Sequence, residues 1–541
     1  MIYYTKYKNS GLGLCFFLLL LLTACAKKEI IGVDPYAGGR ETLGVKFTSA
    51  YASPENGVPG DEVLVNVTGL KAWEDKFDIF INDEKAEIVS LTDSTIKIKV
   101  PEKVSSGSIS VLLQGEVLFG PRFEVQGKVS FDSEFKVVNG SNGVINDAIA
   151  FQSGYLLVGG FTNFENQATL TNPIGHLAYL TTAGDYQSSL NSKKGANGTL
   201  LSVSKLSSGK YITGGAFNLF NNRTGINGIT RLNGDGSLDT SIVSVINLTP
   251  ERDQAGYDTV AAFNGGVLGT IKKTFVSNVD NLGERIYAIG DFQVYGSYFY
   301  ERSTRDFKIF DQVRMNQVVR MEVDGTLDET YNYDPVAKAS YAGGNGAIND
   351  AYLQADNKLI LVGDFTTFNG EAKNRIVRLN DQGKVDGTFN TGSGADGSIT
   401  SIQKDLVSGK LLLVGSFASF NGKSYRNIVR LNEDGSVDES FKPKEFIGGI
   451  PNFAAQLKNG KVVVSGTFSN YDGVTRRGLL ILNNDGSVSQ EYNHNGEFSG
   501  RISKVIETQS SLGNPAIILI GFIQRFNDKK VGNVLRVEIK N

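Results

Sequence analysis

The sequence predicts an all-β protein whose larger part is a closed ring of seven repeated four-stranded units, on three observations. First, the pattern Gly-x-Phe/Ile-x-x-Phe/Tyr begins at Gly159, Gly215, Gly290, Gly363, Gly415, Gly466 and Gly521. Each copy closes a short apolar run bounded by turn residues, such as Leu411-Leu412-Leu413-Val414 or Val462-Val463-Val464, as buried strands do. Second, a strand, an Asp-Gly turn and another strand follow each copy, most clearly from Ile428 to Asp438. Together with the strand before each pattern, for example Ile399 to Gln403, this makes four antiparallel strands recurring every 51 to 56 residues where nothing interrupts them. That is the make-up of a propeller blade. Third, the last repeat reaches Val534-Leu535-Arg536-Val537 without a final Asp-bearing strand, while Phe131-Asp132-Ser133-Glu134-Phe135 matches Val437-Asp438-Glu439-Ser440-Phe441 with no earlier strand of its own blade. The N-terminal segment is therefore expected to complete the C-terminal blade and pair an edge otherwise left open. An open solenoid would gain nothing from such a permutation.

At the start of the chain, Lys6 and Lys8 precede an apolar run from Leu12 to Leu22 and then Leu22-Thr23-Ala24-Cys25. This resembles a bacterial lipoprotein signal, with residues 1–24 removed and Cys25 lipidated. The run is too short to span a membrane as a helix. Two cysteines are present, and removal of 1–24 leaves Cys25 alone, so neither a disulfide nor thiol chemistry is expected. The formal net charge of -3 is nearly neutral for 541 residues, and no basic run marks a polynucleotide partner. Ala26 after the cysteine is consistent with outer-membrane sorting. Lys27-Lys28-Glu29 is only weakly like a surface-export tag, which leaves the outward and periplasmic faces both open. Residues 25–43, with Gly32, Pro35, Gly38 and Gly39, read as a lipidated flexible tether.

Residues 44–126 alternate strands and turns with the density of a small β-sandwich. The Ser53-Pro54 step, the Gly57-Val58-Pro59-Gly60 turn, the alternating Val63-Leu64-Val65-Asn66-Val67 and the later Ile96-Lys97-Ile98-Lys99-Val100-Pro101 resemble an IPT/TIG immunoglobulin-like domain. The resemblance implies a spacer that holds a binding domain away from the membrane. Trp73, the only Trp, falls in this segment and is expected to pack in its core.

Residues 127–541 hold the ring. Gly363-Asp364-Phe365 with Arg378-Leu379-Asn380, and Arg231-Leu232-Asn233 with Asp235-Gly236 and Asp239, resemble delta-60 propeller repeats. Lipobox, sandwich and ring together are similar to uncharacterised Bacteroidetes outer-membrane lipoproteins, and the resemblance implies architecture, with glycan capture in some members. Residues recurring in most blades are expected to serve structure. Arg231, Arg320, Arg378, Arg430 and Arg536 share one repeat position, and Asp132, Asp239, Asp328, Asp386 and Asp438 another, as ion pairs or turn bonds within and between blades. The stretch from Asn233 to Asp239 looks superficially like a calcium loop but lacks the oxygen ligands of one, and a hairpin turn with Gly at positive φ explains it. No metal or cofactor is expected.

Function is expected where blades differ. From the last aromatic of the pattern to the Arg position is ten residues in regular blades (Phe368 to Arg378), fifteen in blade one (Phe164 to Tyr179) and twenty-five in blade three (Tyr295 to Arg320). Asp239 and Gly290 are 51 apart, against 28 for Asp438 and Gly466. With blade strands labelled a to d from the centre outward, these insertions fall in b–c and d–a connections, which emerge on one face. The rim so formed carries Tyr298, Phe299, Tyr300, Arg302, Arg305, Asp306, Phe307 and Phe310, with Arg252, Asp253 and Tyr257 from the other loop. Exposed loops keep so many aromatics when they cover each other, dock onto the Ig-like domain or meet a ligand.

Only His176 and His494 exist, neither beside a nucleophile, so triad hydrolysis and histidine-ligated metals are poorly supported. His176 reads as a surface loop residue. Asp291 and Asp364 are the carboxylates to inspect for glycoside hydrolysis, although Ala216, Ser416 and Thr467 fill the same slot elsewhere. The expectation is a non-catalytic, lipid-anchored outer-membrane protein, facing the cell exterior, that binds an extracellular polysaccharide through the rim. The alternative is a scaffold that docks a protein in an outer-membrane uptake or assembly complex.

Overall fold

The computed structural model describes residues 43–249, 251, 256–405 and 407–540. The expected signal segment 1–24, Cys25 and the tether as far as residue 42 lie outside the described residues. Leu43 already belongs to the sandwich: it packs on the sandwich core, and its carbonyl accepts the Trp73 indole N–H at 3.0 Å.

Alternation of apolar and polar residues puts Val63, Val65 and Val67 of Glu62–Thr68, and Ile96 and Ile98 of Thr95–Lys99, on one buried face of two paired strands. Phe77–Ile81, Gly107–Leu113 and Glu116–Val125 form the facing sheet and contribute Ile79, Val111 and Phe123 to the same core. Tyr51–Gly57 joins the two, running parallel to Glu116–Val125 and meeting the first sheet where Ser53 lies opposite Leu64.

The ring has seven blades. Their a, b and c strands are Ile145–Phe151, Gly154–Gly159 and Leu177–Thr181 in blade one; Leu200–Lys205, Tyr211–Gly215 and Ile229–Leu232 in blade two; Gly266–Val279, Gly283–Tyr298 and Val318–Met321 in blade three. Blade four has Ile348–Leu353, Leu359–Gly363 and Ile376–Leu379; blade five Ile399–Lys404, Leu411–Gly415 and Ile428–Leu431; blade six Pro451–Gln456, Val462–Gly466 and Leu479–Leu482; blade seven Phe498–Gln509, Pro515–Phe526 and Val534–Ile539. Neighbouring a strands touch in turn around the ring, and Ile145–Phe151 meets Phe498–Gln509, so the ring is closed. Val129–Phe131 supplies the outer strand of blade seven, antiparallel to Val534–Ile539 with Val129 opposite Ile539 and Phe131 opposite Val537. The N-terminal closure expected from the divided repeat is present.

The outer strand is shorter than four full strands per blade would give. In blades two to six a single bridging pair holds it, as between Leu379 and Val385 or Leu431 and Val437. The cause is the repeated Asp: Asp328, Asp386 and Asp438 each accept the backbone N–H two residues on through Oδ1. Such a turn bends the chain off the sheet.

The other carboxylate oxygen of this Asp takes the Arg eight residues earlier. The pairs Arg231–Asp239, Arg320–Asp328, Arg378–Asp386 and Arg430–Asp438 measure 2.6, 2.7, 2.9 and 2.6 Å, and Arg536–Asp132 at 2.6 Å repeats the pair across the closure. Each guanidinium also reaches the following blade: Arg320 donates to the Asp381 carbonyl, Arg378 to that of Glu433, and Arg536 to that of Thr182 in blade one. A ring lies beneath four of them, Tyr331, Phe389, Phe441 and Phe135, at 4.6 to 4.9 Å. Burial opposes the charged form of Asp239, Asp328, Asp386 and Asp438. Hydrogen bonds and charge from Arg, Lys and hydroxyl partners outweigh it and hold these carboxyls below their ordinary range. Gly236 and Gly435 of the Asp-Gly turns have φ of +85° and +89°, as the hairpin reading requires.

The sandwich rests on the ring face that carries the b–c and d–a connections, over blades six and seven. Arg122 pairs with Asp528 at 2.9 Å, Arg477 with Asp83 at 2.8 Å, and Gln490 donates to the Glu102 carbonyl. Ser106 donates to the His494 carbonyl through its N–H and its hydroxyl, and His494 Nδ1 lies 2.7 Å from the Val104 carbonyl. That partner is an acceptor only, so Nδ1 carries the proton. Burial, with Arg476 nearby, pushes the His494 pKa down against the hydrogen bond to the Val104 carbonyl and the weaker pull of Glu491 and Glu102. A depressed folded value means that docking is fully stabilised above the unfolded pKa of about 6.5 and loses stability as the pH falls through the lower folded value. Limited proteolysis of the 126–128 junction should therefore accelerate between pH 7.5 and pH 5, and His494→Gln should flatten that dependence; an equal dependence in the variant would assign it to other groups.

Candidate binding rim

In regular blades a side chain three residues before strand a caps the b–c loop. Asn345 Oδ1 accepts the N–H groups of Thr366 and Thr367, and Asp396 Oδ1 those of Ala418 and Ser419. In blade three Asn264, two residues before strand a, makes a different clasp: it accepts the Tyr298 N–H at 2.8 Å and donates to the Tyr298 carbonyl at 2.9 Å. Strands a and b have grown past the usual rim, with Gly266 opposite Gly296 and Val267 opposite Tyr295, and Phe310–Arg314 adds a third strand with Phe310 opposite Tyr298. The result is a tower above blade three. Its tip is a turn at Tyr300–Arg302. Ser303, fully buried, pins that turn: its N–H donates to the Tyr300 carbonyl, its hydroxyl donates to the Phe299 carbonyl at 2.7 Å and accepts the Ile309 N–H at 2.9 Å.

The insertion after Asp239 is a hairpin, Thr240–Ser244 paired with Tyr257–Ala261. It lies against the tower. The Ile246 N–H donates to the Ser303 carbonyl, Lys308 pairs with Asp258 at 2.5 Å, and Arg305 Nε donates to the Tyr257 carbonyl at 3.0 Å. Where other blades place an aromatic under the Arg, three residues after the Asp, blade two has Ile242, which is 73% exposed.

The predicted rim residues divide in two. Tyr298, Tyr300 and Phe310, expected to be exposed, are half-buried and packed on one another: Tyr298 stacks on Tyr300 with centroids 6.0 Å apart, meets Phe310 at 5.0 Å, and its hydroxyl accepts Asn227 Nδ2 at 3.0 Å. Burial raises the Tyr300 pKa accordingly. These three hold the tower together. Phe299, Arg302, Arg305, Asp306, Phe307 and Tyr257 are exposed, Phe307 at 71% and Tyr257 at 59%, with the Arg302 guanidinium 4.9 Å above the Phe299 ring. Arg252 and Asp253 lie outside the described residues. Four exposed aliphatic side chains, Ile242, Ile246, Leu248 and Ile309, share the rim beyond the aromatic and charged residues expected there. Ile242 was legible as the break in an aromatic repeat position.

The blade-one insertion does not join them. Ile174 is buried in the blade-one core, and Phe164 stacks on Tyr186 at 5.8 Å. Ala168 and Ile174 tie this insertion to its own blade while Leu170 between them is exposed, so the two insertions that meet are those of the tower and the hairpin. His176 is not a free loop residue either. Its carbonyl accepts the Gly159 N–H, and Gly228, Gln317, Arg375, Asn427, Gly478 and Asn533 do the same for the repeat Gly of the other blades, all seven at positive φ. Burial lowers the His176 pKa.

The two inspected carboxylates are engaged. Asp291 pairs with Lys272 at 2.7 Å, and Asp364 accepts Asn349 Nδ2 at 3.4 Å. Among the described residues no three His, Cys, Asp or Glu side chains gather as a metal site would.

Fold and rim define a two-domain all-β protein, a sandwich docked on a seven-bladed propeller with one raised edge. Residues 21–121 match a domain of unknown function (DUF5008). Residues 206–241, 354–389, 408–441 and 457–488 match a second, the domain of unknown function (DUF5122) beta-propeller. The second set covers blades two, four, five and six from strand b to the outer strand; the unmatched blades are those with a b–c insertion or the divided outer strand. No curated protein matches the chain. Among solved structures the chain is similar to an auxiliary nutrient binding protein from Bacteroides thetaiotaomicron, at 13% identity over 72% of this chain and 98% of that one, TM-score 0.23. It is also similar to an auxiliary nutrient binding protein from Bacteroides ovatus, at 10% identity over 91% and 97%, TM-score 0.27. A third is a protein of unknown function from B. thetaiotaomicron, at 13% identity over 92% and 98%, TM-score 0.27. The functional reading rests on the chain's own geometry.

Proposed function

We propose that the protein is a non-catalytic binding protein, lipid-anchored at the outer membrane through Cys25, whose tower and neighbouring hairpin dock a protein partner in an uptake or assembly complex. One observation carries this: two insertions bring Phe299, Phe307, Tyr257, Ile242, Ile246 and Leu248, all exposed, to a single rim. Contiguous exposed apolar surface marks a contact site, and aromatic side chains beside Arg are the usual anchors of protein interfaces.

Carbohydrate capture is the second reading, favoured by the Phe299–Arg302 pair beside Phe307, where an aromatic face and a guanidinium could receive a sugar ring. Pull-down from outer-membrane extract with wild type and with Phe307→Ala/Tyr257→Ala separates the two. A stoichiometric protein held by the wild type and lost from the variant supports docking. Equal protein capture by both, with polysaccharide retardation lost only in the variant, would replace docking by carbohydrate capture.

A further inference from the structure

We propose a second binding site, in the cleft between the sandwich and blades six and seven, for an uncharged hydroxyl-rich ligand such as a short oligosaccharide or a polyol. The cleft is half open to solvent and measures about 770 Å³. That lies within the range of pockets that bury a drug-sized ligand, and domain interfaces are where such pockets occur. Val58 and Glu102 come from the sandwich, Gln490 and His494 from the ring, and residues 124–130 cross the base. Neither domain forms it alone.

The lining selects the chemistry. Five carboxamides line it, Asn56, Gln126, Gln490, Asn495 and Asn527; Gln126 Nε2 donates to Asn56 Oδ1, Gln490 Nε2 to the Glu102 carbonyl and Asn527 Nδ2 to Glu124, and the amide hydrogens and oxygens left over can donate and accept as vicinal hydroxyls do. His494 is 4% exposed; its Nδ1–H is committed to the Val104 carbonyl, which leaves Nε2 as an acceptor. Three carboxylates, Glu102, Glu124 and Glu491, face two lysines, Lys128 and Lys540; Lys128 pairs with Glu491 at 2.9 Å, and Arg122, which lies outside the lining and is held by Asp528 at 2.9 Å, is 3.9 Å from Glu124. Glu102 and Lys540 remain, both exposed and opposite in sign, and among the described residues neither has an ion-pair partner. An anionic ligand would find no excess of countercharge. Val58, which is exposed, and Pro59 give an apolar edge for the C–H face of a sugar or polyol.

The site is independent of whatever the tower binds. Detergent-solubilised full-length protein would be titrated calorimetrically with gluco-, manno-, galacto-, xylo- and arabino-oligosaccharides and with sorbitol, alongside Glu102→Ala/Lys540→Ala and the tower variant Phe307→Ala/Tyr257→Ala. At least one compound is expected to bind, at least tenfold more weakly to the Glu102→Ala/Lys540→Ala protein and unchanged to the tower variant. Because both cleft side chains are exposed, their loss leaves the fold intact, which circular dichroism would verify. The proposal is overturned if no compound binds at millimolar concentration, if the cleft variant binds as the wild type does, or if the tower variant is the one that loses binding.

Discussion

Asp132→Ala is expected to destabilise the ring by about 3–5 kcal/mol, the cost of removing one partner from a buried ion pair. Arg536 is 2% exposed and Asp132 5%, so the guanidinium would lose its carboxylate without gaining water. Asp438→Ala, which breaks the equivalent pair inside blade five, should cost a similar amount in denaturant unfolding. The two should differ in consequence. Asp132 lies directly after the Val129–Phe131 strand that joins the two ends of the ring, so its loss should also speed proteolysis of residues 127–135. Asp438→Ala should not. Equal protease sensitivity would mean that the closing strand is held by its backbone pairing and not by this pair.

The second large effect separates the residues that build the rim from those that face outward. Tyr300→Ala removes a ring from the Tyr298–Tyr300–Phe310 cluster, and hydrogen exchange across residues 296–312 should rise sharply while the remaining blades stay protected. Phe307→Ala should leave that exchange unchanged yet weaken partner binding by about 2 kcal/mol or more, as loss of an exposed aromatic anchor does. If Phe307→Ala left affinity intact, the rim would be only a packed insertion.

Much of the ring could be read from the chain because repetition exposes it. Seven Gly-x-Phe/Ile motifs number the blades, and the missing Asp strand after Val537 with its match at Asp132 foretells closure. The Arg–Asp partnership followed from recurrence alone. The shortness of the outer strand did not, since it depends on the turn that Asp328, Asp386 and Asp438 make with the N–H two residues on. An inner belt also escaped notice: Lys504 reaches Asp147 at 2.7 Å and Lys273 reaches Asp350 at 2.8 Å between adjacent a strands. These positions differ from blade to blade, so repetition cannot reveal them.

The rim was half legible. Insertion lengths located it, but which of its aromatics turn inward depends on contacts between segments more than 30 residues apart, such as Asn264 with Tyr298 and Asn227 with the Tyr298 hydroxyl. Composition carries no trace of those. The docking of the sandwich over blades six and seven was invisible for the same reason. His494 and Arg476, which mediate it, look in sequence like ordinary loop residues.

Photo-crosslinking in living cells tests the docking account most directly, with a benzophenone amino acid placed at Phe307 and, as a control, at Leu512, which is 77% exposed in the a–b turn of blade seven on the opposite face of the ring. The account predicts one discrete protein adduct from position 307 and none from 512. No protein adduct from 307, or the same adducts from both positions, would contradict it.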